Sequence, residues 1–126
     1  MGGGSGRPQV YIVEDDPGML RLLADLAGDA GWEVYAFTRL APFRSALARA
    51  RPTMVIVDDE LPDGRGGDFV RALREIPSLD GVAVIVCTAA QPPRLAELRS
   101  WAPVMAKPID LAALERMMAN AAAHHN

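Results

Sequence analysis

Five short apolar runs, each followed by a longer stretch with helical spacing, constrain this chain more than any other feature of its sequence. The runs are Val10–Val13, Val34–Phe37, Met54–Val57, Val82–Val86 and Val104–Ala106, and three of them are nearly continuous β-branched residues. That pattern belongs to strands buried on both faces rather than to half-exposed strands with alternating polarity. Between the runs, Met19, Leu22, Leu23, Leu26 and Ala27 recur at helical spacing, with Gly31 as a stop. Phe43, Ala46, Leu47 and Ala50 do the same before Pro52, as do Phe69, Val70, Leu73 and Ile76 before Pro77. Pro92–Trp101 can be helical only if the two prolines open it. Leu111, Leu114, Met117 and Met118 follow Asp110, a good N-cap.

Five strands alternating with five helices imply a parallel sheet with right-handed crossovers. The expected architecture is α/β, a flavodoxin-like (βα)5 three-layer sandwich with sheet order 2-1-3-4-5. Its site is expected at the carboxyl ends of strands 1 and 3. Residues 7–122 form the expected domain, residues 1–6 (MGGGSG) a flexible leader or appended remnant, and residues 123–126 a frayed tail.

Composition narrows the classes. A net charge of −3 argues against direct nucleic-acid binding. The single cysteine, Cys87, gives no internal disulfide and reads as an inert buried thiol. No apolar run approaches the ~18 residues that membrane insertion requires. The expectation is a cytoplasmic domain. His124 and His125 read as solvent-exposed tail, and Trp32 as a packing residue.

The expected edge is chemically loaded. Strand 1 runs into Glu14-Asp15-Asp16 and strand 3 into Asp58-Asp59-Glu60. Carboxylates held close repel one another unless a cation sits among them. A hard divalent cation with few protein ligands suits Mg²⁺. Acids at strand ends also cap helices, as Asp16 before Pro17 would. Strand 4 ends at Thr88, which can serve as a hydroxyl donor or as a local backbone hydrogen-bonder. Strand 5 ends at Lys107, the only lysine among 13 basic residues. A compact ammonium on a flexible stem is a different tool from a guanidinium fork. Together these groups describe an anion site with a bridging metal.

With these residues in view, the chain resembles the receiver domains of two-component response regulators from residue 8 to about 122. The resemblance rests on Val13–Pro17 (VEDDP), Val57–Pro62 (VDDELP) with Gly66 beyond it, Thr88-Ala89 and Lys107-Pro108. It implies that Asp58 is the phosphoacceptor for a phosphohistidine carried by a histidine kinase or histidine phosphotransferase. It also implies a Mg²⁺ site made by Asp15 directly, Glu14 through water, Asp58 and the backbone carbonyl of Glu60. Thr88 would then hydrogen-bond a phosphoryl oxygen, and Lys107 would pair with Asp58 or its phosphate. Asp58, Thr88 and Lys107 would be the catalytic set, serving the domain's own phosphorylation and dephosphorylation rather than turnover of a conventional substrate. The output is a switched interaction face for an unknown downstream protein target.

The chain departs from that pattern in one region. The position three before the lysine, usually aromatic in receivers, is Val104, and the nearest upstream aromatic is Trp101, outside the strand. The segment from Thr88 to Lys107 is short and opened by Pro92-Pro93. It is similar to atypical receivers with a reduced fourth helix, although Ala89-Ala90 replace their Gly-Tyr pair. The expectation is activation without an aromatic rotamer switch, through ordering of the loop between strands 4 and 5. Glu60, two residues after the acceptor, is expected to tune phosphoryl lifetime. Three other readings compete: a pseudo-receiver acting as a constitutive binding module, an Asp-nucleophile phosphatase, and a flavin-binding flavodoxin. Acids where a phosphate loop would have to be argue against the flavodoxin.

Overall fold

The computed structural model describes residues 6–124. Apart from Gly6, the expected leader lies outside these residues, as do His125 and Asn126. The five expected strands form one parallel sheet: β1 (Gln9–Val13), β2 (Glu33–Phe37), β3 (Met54–Asp58), β6 (Ala83–Thr88) and β7 (Val104–Ala106). A two-residue pair, β4 (Glu60–Leu61) and β5 (Gly64–Arg65), makes a small hairpin after β3 that the sequence pattern did not announce. The main sheet has the order β2-β1-β3-β6-β7, the expected doubly wound order with the hairpin strands counted.

The two-residue period of the strands divides the core into two layers. Val10, Ile12, Met54, Ile56, Ile85 and Cys87 face α1 (Pro17–Asp29) and α5 (Leu111–Ala123), where Trp32 is also buried. Tyr11, Val13, Val55, Val57, Val84 and Val86 face α2 (Leu40–Leu47), α3 (Gly66–Leu73) and α4 (Pro92–Arg99). Aromatic edges link Tyr11, Phe37, Phe43 and Phe69 in that second layer. β3, in the middle of the sheet, is buried at every residue. Among the described residues, no helix is long and apolar enough to cross a membrane.

Helix ends follow local chemistry. Asp16 caps α1 by accepting from the Gly18 N–H at 3.1 Å, and Asp110 caps α5 by accepting from the Ala113 N–H at 3.0 Å. Gly31 adopts φ +94°, a left-handed conformation that glycine takes without Cβ strain, and ends the α1 turn. Three expectations need correction. Ala50 lies beyond α2, which ends at Leu47, although its N–H still donates to the Ala46 carbonyl at 3.0 Å. Ile76 lies beyond α3 with extended backbone, φ −100° and ψ 107°, as the residue before Pro77 requires, and is 40% exposed. Leu22 belongs to the expected apolar stripe of α1 but is 42% exposed, while Leu23 and Ala27 carry that helix's buried contact.

α2 is capped from a distance. Arg39, at its N-cap, makes no side-chain cap. Instead Asp63, in the β4–β5 turn, accepts from the Leu40 N–H at 2.7 Å and the Ala41 N–H at 2.9 Å. These bonds, the Leu40 one foremost, hold the Asp63 carboxyl below its ordinary value of 3.8. A depressed carboxylate pKa contributes stability that is present above the unfolded value and lost as pH falls through the folded one. Asp63→Ala is therefore expected to lower the urea midpoint at neutral pH, and the gap to the unaltered chain should narrow as pH drops below 3.8. A gap that stays constant across that window would show that Asp63 does not act through its charge.

Candidate functional site

The acids converge as the strand order requires. β1 and β3 are adjacent, so Glu14, just past Val13, and Asp58, at the end of β3, come together at one sheet edge. Ligand oxygens of Glu14, Asp15 and Asp58 lie within 4.8 Å of one another. Glu14 and Asp58 are buried, at 1% and 6% exposure, while Asp15 is open to solvent. Two sheltered carboxylates and one accessible carboxylate, all hard oxygen donors, fit a small divalent cation that keeps part of its water shell.

Lys107 reaches the same point from the far side. It follows β7, and its N–H donates to the Thr88 carbonyl at 2.9 Å, which fixes the chain at the sheet edge. Its Nζ donates to Glu14 Oε1 at 2.9 Å and to Asp58 Oδ2 at 3.2 Å. The Lys107–Pro108 peptide is cis. Glu14 is further held by the Asp16 N–H, which donates to its Oε2 at 3.1 Å. Burial pushes the Glu14 carboxyl above its ordinary value; Asp58 adds to the rise, and the bonds from Lys107 and the Asp16 amide oppose it. For Lys107, desolvation favours the neutral amine, but the bond to Glu14 and the charge of Asp58 outweigh it and raise its pKa. The ammonium is thus a resident counter-cation between two buried acids.

The remaining expected residues are placed as follows. Thr88 ends β6, fully buried, and its Oγ1 accepts from the Ala90 N–H at 3.1 Å, the local bond a strand-end threonine commonly makes. The Glu60 side chain is exposed, and its N–H donates to Asp58 Oδ1 at 3.3 Å. Asp16 is committed to the α1 cap. Asp59, grouped with the acids by sequence, turns to the opposite face of the sheet, because consecutive residues of an extended chain point to opposite sides. There its carboxylate meets the forked guanidinium of Arg94 on α4, with Nε at 2.9 Å and Nη2 at 2.8 Å, and accepts from the Gly67 N–H at 3.0 Å.

Arg94 is the residue that sequence reasoning missed. It also bonds Asp68 at 3.1 Å and Glu97 at 2.7 Å, and its guanidinium stacks 5.3 Å from the Trp101 ring centroid. Only the Glu97 contact, three residues along the same helix, has a sequence signature. Cys87 is buried beneath the acids; burial pushes its thiol up to about 12, leaving it an unreactive packing group. A cavity of about 680 Å³ opens at the other end of the sheet between residues such as Gln9, Arg51, Arg74 and Met117. The carboxylate site itself is a charged notch.

Comparison with known proteins identifies the family and the fold. The response regulator receiver domain family matches residues 10–119. The response regulator protein PilR of Pseudomonas aeruginosa is 28% identical over 116 residues, which are 91% of this chain and 26% of that protein. The KDP operon transcriptional regulatory protein KdpE of Escherichia coli is 28% identical over 118 residues, 93% of this chain and 52% of that one. The chain thus spans about half, or less, of the length of these curated relatives. The chemotaxis response regulator CheY4 of Vibrio cholerae superposes with a TM-score of 0.79 at 19% identity, covering 91% of this chain and 98% of that one. That likeness concerns the fold.

Proposed function

The chain belongs to the response regulator receiver domain family, and from that premise we propose that it is a phosphoacceptor in a two-component relay, with Asp58 as the acceptor. The observation that carries the proposal is the meeting of Glu14, Asp58 and Lys107 across three strand ends, with Asp15 open beside them. On this reading, residues 7–122 are the receiver unit. A histidine kinase or histidine phosphotransferase supplies the phosphoryl group, and the response is a changed interaction face for a protein target.

An Asp58 oxygen attacks phosphorus, the phosphorus–nitrogen bond of the donor phosphohistidine breaks, and the imidazole leaves with the electron pair and takes up a proton. A carboxylate nucleophile has no proton to surrender as it attacks, so this chemistry calls for no general base. Phosphoryl transfer asks mainly for positioning and for neutralisation of charge on the equatorial oxygens. Lys107 already bonds one Asp58 oxygen and supplies the fixed positive charge. Asp15, Asp58 and the backbone carbonyl of Glu60 would hold Mg²⁺, with Glu14 acting through water. When bound, the ion offsets charge between the carboxylates and the incoming phosphoryl group. Thr88 would turn its hydroxyl toward a phosphoryl oxygen. Small Ala89 and Ala90 leave the site open to a bulky donor, and Glu60, exposed beside it, is placed to influence the water that hydrolyses the phosphoform.

The test is incubation with acetyl phosphate, with and without Mg²⁺, followed by intact mass. The expected result is a phosphoryl adduct that needs Mg²⁺ and is missing from Asp58→Ala. No adduct from acetyl phosphate or from a phosphohistidine donor would favour a constitutive binding module instead.

A further inference from the structure

Asp59 is anchored through both its backbone and its side chain. Its carbonyl accepts from the Gly66 N–H at 2.9 Å. Its carboxylate, 2% exposed, accepts from the Gly67 N–H and from both arms of the Arg94 fork. Arg94 is itself only 14% exposed, in the first turn of α4, packed against Trp101 and joined to Asp68 on α3. Burying a carboxylate and a guanidinium is costly, and an apolar pair of similar volume would serve packing at least as well. What a bidentate pair adds is fixed geometry. The geometry it fixes is the peptide between Asp58 and Glu60, which carries the acceptor on one side and the proposed carbonyl ligand on the other.

We infer that Arg94, acting through the Asp59 carboxylate, is a positioning residue for Asp58. The inference rests on the acceptor reading above. α4, reached in sequence only after β6, thereby sets the attitude of the acceptor at the end of β3. Arg94 touches neither Asp58 nor the metal-binding acids, so its effect on the reaction must pass through Asp59.

The experiment measures Mg²⁺-dependent adduct formation from acetyl phosphate alongside the urea midpoint in four proteins: the unaltered chain, Arg94→Ala, Arg94→Lys, and the double variant Asp59→Asn with Arg94→Ala. Arg94→Ala is expected to slow adduct formation about tenfold, the scale of a small misplacement of a reacting group. It should also lower the midpoint, because Asp59 is left buried with one donor. Lysine restores charge without the fork and should recover only part of the rate. The double variant removes the stranded charge and keeps an oxygen for the Gly67 N–H, so its midpoint should return toward that of the unaltered chain while its rate stays low. If rate and midpoint recover together, Arg94 merely neutralises Asp59 and the inference is overturned. Unaltered rates in all variants overturn it too, with the acceptor reading intact. An unaltered chain that gains no adduct overturns the acceptor reading and this inference with it.

Discussion

Gly66→Ala is expected to cost about 3 kcal/mol of stability, although it adds one methyl group and places a better helix former at the start of α3. A Cβ at Gly66 would lie 2.1 Å from the Asp58 carbonyl oxygen and 2.7 Å from Val57 Cγ2. The first of these is backbone at the centre of the sheet and has no rotamer with which to yield. Relief requires α3 to retreat from β3, which breaks the bond from the Gly66 N–H to the Asp59 carbonyl and disturbs the acceptor peptide. Gly28→Ala is the control. Gly28 lies within α1 with nothing within 4 Å of an added Cβ, so the same change there should stabilise by about 0.5–1 kcal/mol. Urea unfolding of both variants decides it. A Gly66→Ala protein within about 0.5 kcal/mol of the unaltered chain would mean that the α3–β3 contact is looser than described.

Lys107→Ala should have an effect of similar size at neutral pH, again about 3 kcal/mol, because it strands Glu14 and Asp58 without their cation. Glu14 already has its pKa raised by burial, and losing Lys107 removes a bond and a charge that oppose the rise. A carboxyl whose folded pKa exceeds its unfolded value binds its proton more tightly when folded, so stability grows as pH falls through the folded pKa toward 4.5. The penalty of Lys107→Ala should therefore shrink in that direction. Mg²⁺ should also raise the variant's urea midpoint more than that of the unaltered chain, since the ion would supply the missing charge. A variant with the unaltered midpoint in the absence of Mg²⁺ would contradict the role given to Lys107 as counter-cation.

The sequence announced the sheet because its strands are buried on both faces, so their apolar runs survive without interruption. The order of the strands by itself brings the ends that carry Glu14, Asp58 and Lys107 to one edge. Asp59 was grouped with them wrongly, and the correction was available in the sequence. A two-residue period that sends Val57 toward α3 and Asp58 toward the site must send Asp59 back toward α3 and α4. Arg94 and Asp63 could not have been found that way. Each serves a partner 35 or 23 residues distant, and neither contact leaves a local pattern. α4 itself, opened by Pro92 and Pro93, carries a weak apolar face with Leu98 as its single buried residue. Its Arg94–Asp59 pair joins residues 35 apart in the chain, a contact that periodicity does not encode.

The account stands or falls on Asp58 as the residue that carries the phosphoryl group. The direct measurement is to treat the protein with acetyl phosphate and Mg²⁺, reduce the acyl phosphate with borohydride, and map the peptides. Reduction converts an aspartyl phosphate into homoserine, which marks the acceptor in the chain. The account predicts homoserine at position 58 alone, formed only with Mg²⁺. Homoserine at position 15 or 59, or labelling that is indifferent to the metal, would contradict it.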